Sequence, residues 1–171
     1  RLLLLLAARK LGQHDLADDQ RDELRRRFRE SESEVFGTLD AAGAARIAWF
    51  YAMYDVDPLR AAKFADFAFT VTPNAPVVRR VYGVTRILNG DVETARDVLA
   101  PLQGTDPWAA EAMAGILIGD GNNAGARTVL REAEKLRYSG MAYERIVRRL
   151  ESIGERPAPL PDRSGLSLAL G

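Results

Sequence analysis

The chain has 171 residues, 47% hydrophobic and 28% charged, enough to build one domain or a short helical array around a sizeable core. Its 24 Lys and Arg balance 24 Asp and Glu, so net charge gives no reason to expect nucleic acid or a strongly acidic partner. Without a single cysteine, disulfides, zinc–thiolate sites and thiol nucleophiles are excluded.

The chain begins at Arg1 rather than Met, as a fragment or processed product would. "LLLLLAA" (2–8) is apolar but too short to span a bilayer, and reads as the buried face of a first helix over 1–11. Helical spacing continues over 15–30, 41–54, 58–71, 76–88, 92–103, 107–118, 123–136 and 140–153. Val92, Ala95, Val98, Leu99 and Leu102 form one apolar stripe; Ala126, Val129, Leu130 and Ala133 form another. Tyr143, Ile146, Val147, Leu150 and Ile153 repeat it near the end. Strand-like alternation is scarce, so the fold class is all-α. "ESESEVFGTLDAAG" (30–43) reads as the longest connection, with Val35, Phe36 and Leu39 packing it down. Pro101 falls inside the helix over 92–103 and is expected to kink or shorten it. From Glu155, "ERPAPLPDRSGLSLALG" carries three prolines and is expected to run as an extended tail over 155–171.

The breaks between helices recur. Ala61 to Ala95 and Pro73 to Pro107 both span 34 residues, and Ala95 to Ala126 spans 31. Gly12, Gly90 and Gly121 each stand five residues before an alanine, at Ala17, Ala95 and Ala126. A hairpin needs such a tight turn, followed by a small residue where its second helix presses on the first.

Paired helices at this spacing resemble the tetratricopeptide repeat family. Unit 76–107 carries its small residue in the first helix (Gly83), its Gly-Asp turn (Gly90-Asp91), its alanine and large apolar residue in the second helix (Ala95, Leu99) and its closing proline (Pro107). Unit 41–73 supplies Ala61, Ala68 and Pro73, with Trp49 where the small residue belongs. Unit 107–138 supplies Ala114, Gly121, Ala126, Leu130 and Ala133, with Tyr138 in place of the proline. Residues 1–30 keep only Gly12 and Ala17 in register. The resemblance implies a repeat domain over 1–154, an α-α superhelix of antiparallel hairpins, with 140–153 as its C-terminal capping helix.

No catalytic constellation emerges. His14, the sole histidine, sits in "GQHD" at a turn. Asp18, Asp19, Asp22 and Glu23 share a helix with Arg21, Arg25 and Arg26 at spacings that favour helix-supporting ion pairs over a metal site. "GDGNNAGA" (119–126) lacks the Lys-Ser/Thr ending of a phosphate loop and reads as a turn. "RRRFR" (25–29) and "RIVRR" (145–149) read as solvated faces of mixed-charge helices, with phosphate or acidic-peptide binding as the alternative. The expectation is a non-enzymatic protein without metal or cofactor.

By the resemblance, the first helix of each hairpin lines a concave groove that holds a peptide or helical segment of a partner protein. The positions that correspond are Arg46, Phe50, Met53 and Tyr54; then Val77, Arg80, Val84, Ile87 and Leu88; then Trp108, Glu111 and Ile118. Aromatic and arginine side chains are common interface anchors. The expected function is an adaptor or chaperone-like scaffold, and the alternative is a structural or self-associating subunit of a larger assembly. Abundant Ala, Arg and Gly with few Lys suggest a GC-rich bacterial source. No nucleic acid and no membrane span are expected; the cytoplasm is the expected compartment, with the periplasm as the alternative.

Overall fold

A computed structural model describes residues 7–8, 11–54, 57–136 and 140–158, with the side chains of Ser31 and Ser33 left aside. Among them are eight helices and no strand: α1 (His14–Gly37), α2 (Ala41–Met53), α3 (Pro58–Val71), α4 (Pro76–Leu88), α5 (Val92–Leu99), α6 (Pro107–Gly119), α7 (Asn123–Glu134) and α8 (Gly140–Ser152). Most of the expected first helix, Tyr138 and the tail from 159 onward lie outside the described residues. The chain divides into two compact units, Arg1–Gln103 and Gly104–Gly171.

Side chains at the helix starts satisfy backbone N–H groups that have no partner within the helix. Asp40, Asp57, Asp91, Asp106 and Asn122 accept from the N–H groups of Gly43, Arg60, Thr94, Trp108 with Ala109, and Gly125 at 2.8 to 3.2 Å. Pro58, Pro76 and Pro107 begin α3, α4 and α6, where a missing N–H costs nothing.

Several of the helix ends share one turn. After α4, Gly90 adopts φ +82 while Gly90 N–H donates to Ile87 O and Asp91 N–H to Arg86 O. After α6, Gly121 (φ +76), Ile118 and Leu117 repeat it, and after α8 Gly154 (φ +78), Glu151 and Leu150 do so again. This double bond closes a helix around a left-handed residue and reverses the chain. At Asp91 and Asn122 the residue that completes one helix end also caps the next helix.

One element departs from the sequence reading, and a second is shortened where Pro101 is expected to shorten it. The stretch expected to connect 30 to 43 is helical as far as Gly37, as a continuation of α1. Phe28, Glu32, Val35 and Phe36 recur at helical spacing. Phe28 stacks on Phe50 at 4.3 Å and Phe36 on Phe64 at 4.9 Å, so packing overrides the polar "ESESE" composition. Leu39 does not pack down; it is exposed with φ +53. The helix expected to 103 ends at Leu99, and Ala100–Leu102 tighten into a 3₁₀ turn. Pro101 has no N–H with which to continue the α pattern.

In the first unit α1 packs on α2, α2 on both α3 and α4, and α4 on α3 and α5. First helices of successive hairpins are therefore neighbours. Its core gathers Ala44, Ile47, Ala48, Phe50, Tyr51, Ala61, Phe64, Ala65, Ala68, Val78 and Val81. The small positions anticipated at Ala17, Ala61, Ala95 and Ala126 are all buried. Gly83 earns its place by proximity: a Cβ there would come within 2.5 Å of Leu99 Cγ.

In the second unit α6, α7 and α8 pack on one another around Ala110, Ala114, Ala126, Leu130, Ala133, Ile146 and Leu150. The segment after α8 is tied down. Arg131 donates to Glu155 at 3.1 Å and to the Arg156 carbonyl at 2.7 Å, Ala158 N–H donates to Glu134 at 2.8 Å, and Tyr143 OH donates to the Ala158 carbonyl at 3.2 Å.

Candidate functional site

On α2, the apolar run "WFYAMY" divides by helical phase. Phe50 and Tyr54 are buried, their rings 5.1 Å apart, with Phe50 pressed against Phe28 of α1. Met53 is half-buried against the same core. These three residues contribute to packing within the unit. Arg46 is exposed, its guanidinium 3.8 Å from Asp40.

Trp49 occupies the remaining face of α2, and Arg80 of α4 lays its guanidinium over the indole, 4.8 Å from the ring centre. This cation–π contact bridges the two neighbouring first helices. Further along α4, Val84 and Ile87 are half-buried, while Val77 and Leu88 are exposed. Arg80 is legible in the sequence as a groove position, whereas Trp49 stands in the repeat pattern where a small residue belongs. Its bulk is accommodated at the helix surface under Arg80.

A second network lies behind this face. Glu32 of α1 accepts from Tyr51 OH at 2.8 Å and pairs with Arg60 of α3. Burial, followed by the bond to Glu32, pushes the Tyr51 phenol well above its usual range. The Tyr51 hydroxyl donates to Glu32, and through Arg60 the network joins α1, α2 and α3.

The second unit has a different arrangement. Trp108 and Ile118 of α6 are half-buried, and between them Glu111 is only 4% exposed. Its carboxylate receives Arg145 Nε at 3.1 Å and Arg149 Nε at 2.9 Å, both from α8. Arg145 also stands over the Trp108 ring, 5.9 Å from its centre. A buried carboxylate needs such partners. Glu111 was anticipated as a groove residue, and its partners lie 34 and 38 positions further along, a tertiary pairing that helix periodicity alone cannot reveal.

The acidic residues near the start of α1 do pair along the helix: Arg25 with Asp22, Arg26 with Glu23 and Glu30, and Arg27 with Glu23. His14 is exposed at the first position of α1. Among the described residues no cluster of His, Asp and Glu is placed to hold a metal ion, and no helix is long and apolar enough to cross a membrane. The chemistry these surfaces offer is aromatic stacking, arginine hydrogen bonding and apolar contact. Compared with protein-family models, curated proteins and solved structures, the chain finds no match in any of the three.

Proposed function

We propose that this chain is a non-enzymatic protein-binding module of tetratricopeptide-like hairpins, and that its first unit holds a peptide or helical segment of a partner against the exposed side of α2 and α4. The observation that carries this reading is the neighbouring placement of α2 and α4, with Arg80 over Trp49 and a row of exposed or half-exposed apolar residues on α4. Arginine and tryptophan are among the most frequent interface hot spots, and their contact orders both side chains before a partner arrives. Arg46, exposed on α2 at 3.8 Å from Asp40, supplies a second cation. Val77, Val84, Ile87 and Leu88 offer the apolar contacts that an amphipathic helix or extended segment needs.

The test is capture of a partner from extract of the source cells, followed by reconstitution of the pair from purified components. Replacing Arg46 and Arg80 together by alanine is expected to weaken the reconstituted complex at least about tenfold while circular dichroism stays unchanged. Full binding by the folded double variant would overturn the assignment of this face.

A further inference from the structure

The cluster around Glu111 is organised beyond what is needed to attach one helix to another. Arg145 and Arg149 both converge on one carboxylate, so one negative charge faces two positive ones and the group keeps a net +1. Each arginine uses Nε toward Glu111, and Arg145 adds an Nη2 contact at 3.4 Å. A guanidinium has five N–H donors in a fixed plane, so each retains several N–H groups beyond these bonds. The side chains of Arg145 and Arg149 are 43% and 39% exposed, whereas that of Glu111 is 6% exposed.

The supporting geometry is specific. Arg149 lies against α6 at Gly115, where even a Cβ would come within 2.8 Å of its Nη2. Glycine there lets the guanidinium settle beside the helix backbone. Arg145 is steadied from another side by the Trp108 ring. The neighbouring charges on α8, Arg148 and Glu144, pair at 3.5 Å. Buried Glu111 thus acts as a brace that holds two partly exposed cations in register.

We propose that Arg145 and Arg149 form a receptor for an acidic side chain of a partner peptide, an aspartate or glutamate carboxylate, with Trp108 accepting the apolar stem beside it. The proposal rests on the protein-binding reading of the chain but on different residues. A carboxylate matches the residual single charge and the planar donor array. A phosphate dianion would exceed that charge beside the Glu111 carboxylate, and one residual charge is far short of what a nucleic-acid backbone requires.

The full chain carrying Trp49→Phe leaves Trp108 as its sole indole, whose fluorescence reports on this site. Titration with a short oligoglutamate is expected to change that signal, and an oligoglutamine of equal length is expected not to. Arg145→Gln with Arg149→Gln should weaken oligoglutamate binding at least about tenfold. Glu111→Gln separates the roles. It removes the balancing charge while keeping the side chain's shape, so it should tighten oligoglutamate binding even as it lowers thermal stability. A purely structural ion pair predicts loss of stability in the Glu111 variant with no gain in binding, and that result overturns the proposal. So does oligoglutamate binding that the folded double-arginine variant retains, or a stronger response to inorganic phosphate than to oligoglutamate. If the purified partner of the previous section is released by the Arg46 and Arg80 changes but not by those at Arg145 and Arg149, the first reading stands and this one fails; the reverse pattern separates them the other way.

Discussion

Leu39 holds a backbone conformation that four other described positions, Gly12, Gly90, Gly121 and Gly154, assign to glycine. It sits at φ +53, with its own N–H directed to Phe36 O and the Asp40 N–H to Val35 O, the same closing pattern seen around Gly90, Gly121 and Gly154. A side chain in this region costs roughly 1–2 kcal/mol, and glycine returns part of that gain through its freer unfolded state. Because Leu39 is exposed, little packing is lost on its removal. Leu39→Gly is therefore expected to stabilise the chain by about 0.5–1 kcal/mol, read as a higher urea midpoint with an unchanged slope. Gly83 presents the opposite case. Its missing Cβ leaves room for Leu99, a fully buried side chain that cannot swing away. Gly83→Ala should cost about 1–3 kcal/mol, since the new methyl must displace a packed leucine. A neutral result would mean that α4 and α5 separate easily. Gly83 stood out in the sequence because it matched a repeat position; Leu39 did not, because nothing in its surroundings marks a leucine for left-handed backbone.

Along α1, composition and packing point in different directions. Its solvent side is a ladder of ion pairs that spacing alone anticipates, whereas its continuation to Gly37 depends on Phe28 and Phe36 finding aromatic partners on α2 and α3 and on Val35 joining the core. A polar stretch hid that apolar spacing, which is why the helix was legible only to about residue 30. The break at Pro101 was legible, because a missing backbone donor acts wherever the residue stands. The ion-pair ladder also sets an acid response. Hydrogen bonds from Arg26 and then Arg27 lower the Glu23 carboxyl from its ordinary 4.5 to about 2. A carboxyl depressed in the folded state stabilises it fully above the unfolded value and loses that contribution as pH falls toward the folded one. Helix signal from α1 is expected to decline as pH drops from about 4.5 toward 2, by circular dichroism at low salt. Glu23→Gln should flatten that limb, and an identical acid profile in the variant would assign the loss to other carboxyls.

At the scale of the whole molecule, the candidate surfaces were less legible than the elements that carry them. Helix periodicity put Phe50 and Tyr54 on the same helix as Trp49, but only the register of α1 against α2 decides which of them is core. Likewise Glu111 can be named from its repeat position, yet Arg145 and Arg149 read in the sequence as a solvated basic run with an acidic ligand as the alternative, and only the packing of α8 on α6 brings both to Glu111. What the chain does disclose early is locality. Within each unit every helix packs on its first or second neighbour in sequence, so core formation requires no long loop to close. Chains built from such local contacts fold on the order of milliseconds or faster. Stopped-flow refolding followed by Trp49 or by Trp108, with the other replaced by Phe, should give a main phase in that range for each unit. A dominant phase slower than about one second in either version would show that its core waits on contacts more distant in sequence than those between adjacent hairpins.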